Sequence, residues 1–217
     1  MNKVIKALSC AGLAALLLTG CGSQAKTGAT KKAAAKPAAQ TAQAAASAPK
    51  GNGKFTVTMT YDYNGERIMA SNQLAAWVED AQGKVVKNLF VTYFTGKGGY
   101  TKRKESLPLW VSKANPAKMD AAKLDAITKS TPSTGKQTVV WDGTDDAGKP
   151  VAEGKYTMYL EGTLYWSSDF QAHAVIDTTA KGEQNLKVDQ KFTEDKKEHR
   201  NMIQNVAVSY KSVKSEK

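Results

Sequence analysis

Cysteine and histidine are nearly missing from this chain of 217 residues, which has two of each. Both cysteines, Cys10 and Cys21, precede residue 22, so the rest of the chain has no disulfide, no thiolate metal site and no cysteine nucleophile. His173 falls in a strand pattern, where packing at a core or edge position is expected, and His199 falls in a charged loop. There is no zinc-type histidine pair, no Gly-x-Ser-x-Gly elbow and no phosphate-binding glycine loop. Glu79 and Asp80 are adjacent carboxylates, but strand neighbours point to opposite faces and cannot act as a hydrolase pair. No apolar run approaches the roughly 20 residues that a membrane-spanning helix needs. These absences predict no enzyme, no catalytic residue and no metal site.

Charge of one sign is also scarcer than it looks. The formal net charge is +11, but eight of the 31 basic residues lie before Phe55, where there is no acid. The 23 that remain face 20 acidic residues. A folded part so nearly balanced excludes nucleic acid as a partner, whereas the early lysines suit an anionic membrane or wall surface.

The amino end carries the clearest positive signal. Met1, Asn2, Lys3 and Lys6 precede an apolar run, Ala11 to Leu18, and then Leu18-Thr19-Gly20-Cys21. A basic start, a short apolar core and small residues before a cut site read as an export signal over 1–20. The last four residues resemble the lipobox of bacterial lipoproteins. That resemblance implies cleavage before Cys21, a diacylglyceryl thioether on its sulfur and further acylation by a palmitate-type chain. Each buried CH₂ contributes about 0.8 kcal/mol, so more than one acyl chain anchors a protein stably. Gly22 stands where an Asp would favour the inner membrane. The expected place is therefore the outer membrane, on its periplasmic face. Residues 21–54 follow as a linker of Ala, Lys, Thr, Ser, Gln and Pro, unable to bury enough apolar surface to order itself. As a flexible coil it reaches on the order of 30 Å.

The folded domain is expected over 55–217. Phe55 to Tyr61 alternates large apolar residues with threonines, the two-residue period of a half-buried strand. Leu74 to Glu79 and Lys84 to Phe94 form a hairpin around Asp80-Ala81-Gln82-Gly83. Further strands are expected at Thr138 to Trp141, Lys155 to Tyr165, Phe170 to Asp177, Leu186 to Phe192 and Met202 to Tyr210, with an exposed loop from Glu194 to Arg200. Between them lies a helical insertion at about 107–130. Leu107 to Lys113 makes a first helix, and Asn115-Pro116 starts a second that runs to Thr128 with Asn115 as its cap. The pattern predicts a mainly β protein, an immunoglobulin-like antiparallel β-sandwich with a short helical insertion.

The densest internal motif is Trp141-Asp142-Gly143-Thr144-Asp145-Asp146-Ala147-Gly148-Lys149-Pro150-Val151, followed by Glu153-Gly154-Lys155-Tyr156. It resembles the immunoglobulin-like module of flagellar hook-capping proteins. The tryptophan is expected to end a strand in the core, the glycines to allow tight turns and Tyr156 to return to the core. Asp142, Asp145 and Asp146 suggest calcium, but they lack an EF-hand spacing and are expected to serve turns. Ala75-Ala76-Trp77-Val78-Glu79-Asp80, Trp110, Asp125-Ala126-Ile127-Thr128 and the Trp141 turn together resemble an uncharacterised family of predicted periplasmic proteins, a domain of unknown function. Its members often occur beside flavin-handling and PepSY-type membrane proteins. The resemblance implies an exported, non-catalytic module.

Within that stretch, Asp125-Ala126-Ile127-Thr128-Lys129-Ser130-Thr131 resembles the acceptor pattern for covalent FMN transfer, with Thr131 in the accepting position. Lys129 and Ser130 depart from the Gly and Ala of the pattern. The aromatics Trp77, Trp110, Trp141 and Trp166, with Tyr93, Tyr100, Tyr156, Tyr159 and Tyr165, are expected to be packed, although Tyr165-Trp166 sits where a strand ends. Three readings follow. The first is a membrane-anchored envelope module without a cofactor, bound to another envelope protein. The second is a flavin-bearing electron carrier with FMN on Thr131. The third is a glycan-binding module using exposed aromatics.

Overall fold

Alternation governs the first strand. In β1, Phe55–Tyr63, every odd residue is buried and every even one half-exposed. In β2, Gln73–Asp80, the same alternation is hidden because both faces are covered, so seven consecutive residues are buried. β3, Val85–Thr92, returns antiparallel to β2 through the expected turn, where Asp80 Oδ1 accepts from the amides of Gln82 and Lys84 and Gly83 takes φ 75°. The remaining strands are β4 (Thr128–Lys129), β5 (Gly135–Trp141), β6 (Lys155–Leu164), β7 (Ser168–Asp177), β8 (Glu183–Leu186), β9 (Asp189–Phe192) and β10 (Ile203–Ser212). The computed structural model describes residues 54–65, 72–193 and 197–213. Cys21, the export signal and the linker lie outside them, as do residues 194–196 of the charged segment.

One sheet has the order β5-β1-β10-β8 and the other β4-β3-β2-β6-β7-β9. They face each other across a core of Val57, Met59, Trp141, Val208 and Tyr210 from the first and Leu74, Val78, Met158, Leu160, Phe170 and Ile176 from the second. The result is the mainly β, immunoglobulin-like sandwich that the pattern predicts. Among the described residues all strand pairs but one are antiparallel; β3 and β4 run parallel over two residues. Gly162 makes room for the facing layer: a Cβ there would meet Ile203 Cδ1 at 2.7 Å.

The Trp141 turn works as its composition suggests. The indole is fully buried and its N–H donates to Thr144 O at 2.9 Å. Asp142 Oδ1 accepts from Thr144 N and Oγ1, and Asp145 Oδ1 accepts from the amides of Ala147 and Lys149. Asp146 leaves the turn and grips β3, accepting from Asn88 N at 2.8 Å and from Asn88 Nδ2 at 2.9 Å. The three carboxylates thus serve three separate backbone tasks. Tyr156 is buried, with its hydroxyl donating to Ala152 O at 2.8 Å.

Four expectations are corrected. The helical excursion begins at Tyr93, not near residue 107: β3 stops at Thr92 and α1, Tyr93–Gly96, follows. α2 is Pro108–Ala114, with Trp110 buried beneath it, but Asn115 does not cap a helix. Asn115 sits at φ 48° without a side-chain cap bond, and Pro116–Lys118 makes only a 3₁₀ turn. The next helix, α3 at Ala121–Ile127, starts on Asp120, whose Oδ1 accepts from Ala122 N and Lys123 N. Thr128 is then not helical but opens β4. Finally, the strand expected over 186–192 is two: β8 edges one sheet, β9 edges the other, and the chain changes layers at Lys187–Val188. Four-residue edge strands with mostly exposed side chains carry no alternation that marks such a corner.

Asp120→Ala should therefore cost about 1 kcal/mol of stability, as for loss of a helix cap. Asn115→Gly keeps the left-handed backbone and should change it by less than about 0.5 kcal/mol. Urea melts of both variants check the assignment; equal losses would restore Asn115 as the cap.

Candidate functional site

A six-stranded sheet with an apolar outer face needs a second cover, and the helical excursion supplies it. Ala75, Trp77, Val91, Leu107 and Trp110 form a second buried cluster, with Leu124, Ile127 and Tyr159 packed at its rim. Both indoles find partners there. Trp77 Nε1 donates to Glu79 Oε1 at 2.9 Å, and Lys113 Nζ closes the group on Glu79 Oε2 at 2.9 Å. Trp110 Nε1 donates to Asn88 Oδ1 at 3.0 Å, which ties α2 to the Asp146 contact.

Beside this cluster runs a buried polar belt. Gln73 Oε1 accepts from Thr92 Oγ1, Thr95 N and Thr95 Oγ1, and Thr95 Oγ1 lies 2.6 Å from Ser106 Oγ. Thr163 Oγ1 accepts from Leu107 N and donates to Glu105 O. Glu161 is fully buried, and its two oxygens accept from Leu109 N at 2.8 Å and Trp110 N at 2.7 Å, the first amides of α2. Asp169, on the neighbouring strand, lies close enough to Glu161 for the two carboxylates to repel each other. Its Oδ2 accepts from Gln171 Nε2, and its Oδ1 is buried without a donor. Two carboxyl groups so placed favour the protonated form of at least one of them. Desolvation, then repulsion from Asp169, pushes the Glu161 carboxyl up to about 8, and burial raises Asp169 too.

Sequence reasoning missed this pair. Glu161 and Asp169 occupy outward positions of β6 and β7, and outward charges read as solvated until a cover is placed over them. The available signal was the excursion's own apolar content, Leu107, Trp110, Leu124 and Ile127, which has to bury against one outer face.

The histidines fall apart from each other and from this pair. His173 stacks on Tyr159, ring centroids 5.4 Å apart, and Tyr159 stacks on Trp77 at 5.0 Å. His199 is not in an exposed loop: it sits on α4, Lys197–Arg200, only 7% exposed, stacked on Tyr165 at 3.8 Å and hydrogen-bonded through Nδ1 to Ser168 Oγ. Ser168 points into the sandwich with Phe170, whereas Asp169 points outward, so Asp169 does not form a relay with Ser168 and His199. Among the described residues, no group of three His, Cys, Asp or Glu side chains is placed to hold a metal.

Thr131 lies in the irregular stretch between β4 and β5, exposed, with its hydroxyl donating to Asn72 O at 3.4 Å. Lys129 folds back so that its ammonium donates to Ala126 O, and Asp125 pairs with Lys97. Trp166 departs from the packed role expected of it: 59% exposed at the β6–β7 turn, it is joined in solvent by Tyr93 at 62%. Trp77, Trp110 and Trp141 are fully buried.

With this geometry in place, the chain belongs to the family described as predicted periplasmic protein (DUF2271), whose model matches residues 54–194. No curated protein and no solved structure matches it. No helix among the described residues is long and apolar enough to cross a membrane.

The raised Glu161 carboxyl sets a pH dependence. Because the folded value for Glu161 lies above the unfolded 4.5, the fold holds a proton that the unfolded chain releases. Stability is then highest below about pH 4.5 as far as this pair is concerned, and it declines as pH climbs through about 8. Asp169→Asn supplies an amide donor to Glu161 and keeps an acceptor for Gln171. Thermal melts across that window should show a falling Tm for the wild type and a flatter profile, with a higher Tm at the alkaline end, for the variant. A parallel decline in both would remove the pair as the cause.

Proposed function

We propose that this chain is a lipid-anchored, non-catalytic module of the bacterial cell envelope, held on the periplasmic face of the outer membrane through Cys21. The lipobox-like Leu18-Thr19-Gly20-Cys21 supports the anchor, and membership of a predicted periplasmic family supports the compartment. The observation that carries the non-catalytic part is how the titratable groups are used. Glu161 and Asp169 are closed under α2, His199 is locked against Tyr165 and Ser168, and His173 stacks on Tyr159. None of them faces a cleft together with another. The domain is a rigid body whose exposed groups meet a partner, with another envelope component as that partner. Cys21→Ser should move the protein from the membrane fraction to the soluble fraction after cell breakage, and a labelled palmitate analogue should mark the wild type alone. A soluble wild type that retains residues 1–20 would overturn the anchor.

A second reading, an FMN carrier, is favoured by the position of Thr131. Its hydroxyl is exposed on irregular backbone with one long hydrogen bond, which is what an enzyme that modifies it needs, and Lys129 is turned onto α3. The residues present fit the group to that extent. The Thr131 hydroxyl would displace AMP from a flavin adenine dinucleotide, lose its proton to the transferase's base and keep FMN as a phosphate ester. A flavin there would supply one- and two-electron transfer. Co-expression with a flavin transferase should give a mass gain of one FMN less water in the wild type and none in Thr131→Ala. An unmodified wild type removes this reading and leaves the first intact.

A further inference from the structure

Three segments remote in sequence close a pocket of about 330 Å³ at the edge of the helical cover. The start of β3 brings Lys84, Val85 and Asn88 to it, and the Trp141 turn brings Asp146. The end of α2 and the turn after it bring Lys113, Ala114, Lys118 and Met119. Its wall is built from bonds that the fold already needs. Asn88, 5% exposed, takes the Trp110 indole N–H on Oδ1 and donates to Asp146 through Nδ2, so one buried amide joins all three segments. α2 ends at Asn115, φ 48°, and the following turn keeps Lys118 and Met119 on the pocket that Lys113 and Ala114 line.

Charge around the pocket is used unevenly. The acids are spent on the fold. Asp146 accepts from Asn88 N and Nδ2, and Glu79 from Trp77 Nε1 and Lys113 Nζ. Asp80 accepts from two amides of its turn, and Asp120 from two amides of α3. Lys113 is spent as well, on Glu79 Oε2 and on Gly83 O at 3.4 Å. Lys84 and Lys118 are not. Both are exposed, both line the pocket, and among the described residues neither ammonium is in an ion pair. Scattered unpaired lysines are ordinary on a surface. Two that line one cavity, with half-buried Val85, Ala114 and Met119 on the same lining, give it a ligand site's composition: an apolar wall and a few placed polar groups.

We propose that this pocket binds a small organic anion, its phosphate or carboxylate group held by Lys84 and Lys118 and its apolar side laid on Val85, Ala114 and Met119. A lysine ammonium is a compact point charge that takes either oxyanion. A pocket near the lower end of the usual range for ligand sites, about 300–1,000 Å³, suits one ring or a short chain rather than a polymer. Asp146, with both oxygens already accepting from Asn88, limits the anionic group to the lysine side. The inference adds a ligand class to the non-catalytic reading and depends neither on the anchor nor on Thr131.

The test uses the full chain carrying Cys21→Ser, labelled with ¹⁵N and with ¹³C in the methionine methyls. It is titrated at low salt with phenyl phosphate, benzoate, inorganic phosphate and phenol. Phenyl phosphate, benzoate or both should move the Met119 methyl and the amides of Val85 and Asn115 saturably, and added salt should weaken the effect. Inorganic phosphate, without an apolar side, and phenol, without a charge, should each bind at least about tenfold more weakly. Lys84→Gln with Lys118→Gln removes two ammonium groups that hold nothing in the fold. That variant should keep its melting temperature and lose about tenfold in affinity. Lys102→Gln with Lys104→Gln, at two exposed lysines of another segment, should change neither. Absence of saturable shifts with both phenyl phosphate and benzoate overturns the proposal. So does equal weakening in the two double variants, which would mark general attraction to a basic surface, and so does phenol binding as tightly as phenyl phosphate. Each of these results leaves the membrane fractionation of the wild type, and with it the envelope module, untouched.

Discussion

The fold depends on covering a sheet that is apolar on both faces. β2 cannot be solvated on either side: Leu74, Ala76 and Val78 face the sandwich interior, while Ala75 and Trp77 face outward. Burying a large aromatic such as Trp77 or Trp110 contributes about 1.5–3 kcal/mol, but only if the indole N–H is satisfied. Glu79 and Asn88 provide that, and each is itself fixed, by Lys113 and by Asp146. The contact from Asp146 comes from the Trp141 turn, so one carboxylate couples the turn, β3 and the helical cover. The cover is therefore a third layer of the domain, held by apolar burial and located by a few hydrogen bonds.

Glu161 shows the cost of that arrangement. Its oxygens hold the first turn of α2, a favourable use of a carboxylate near unpaired helix amides. Yet Asp169 sits beside it, and two buried charges cannot both persist. Protonation of the Glu161 carboxyl, which burial favours, reconciles them and gives the perturbation a structural cause. Perturbed acids mark active sites when they face a cleft. These face the underside of a helix.

Much of this was legible in the sequence, and the failures share one cause. Strand alternation in Phe55–Tyr63, the Asp80–Gly83 turn and the Trp141 turn are local signals, and each is realised almost as written. Asn115-Pro116 is also a local signal, but Asn115 takes the left-handed backbone that ends α2, and Asp120 becomes the cap. Glu161, Asp169 and His199 look solvated in sequence because their strands or loops are polar on that side. Their burial is decided by segments that are remote along the chain, Pro108–Ala114 over the first two and Tyr165 against the third. Trp166 fails in the opposite sense: an aromatic at a strand end reads as core, and only the three-dimensional placement of Arg103 and Asn72 turns it outward.

That outward tryptophan also bears on what the domain is for. A turn with Tyr165 left-handed, at φ 57°, costs of order 1–3 kcal/mol. A buried guanidinium adds a desolvation cost, and desolvation by burial lowers the Arg103 pKa. Exchanging the turn for a tighter one with glycine would remove both costs at little expense to the core, since Leu164 and Phe170 lie beyond the turn on either side. A structure that keeps such strain where a cheaper solution exists is keeping the geometry of the exposed ring.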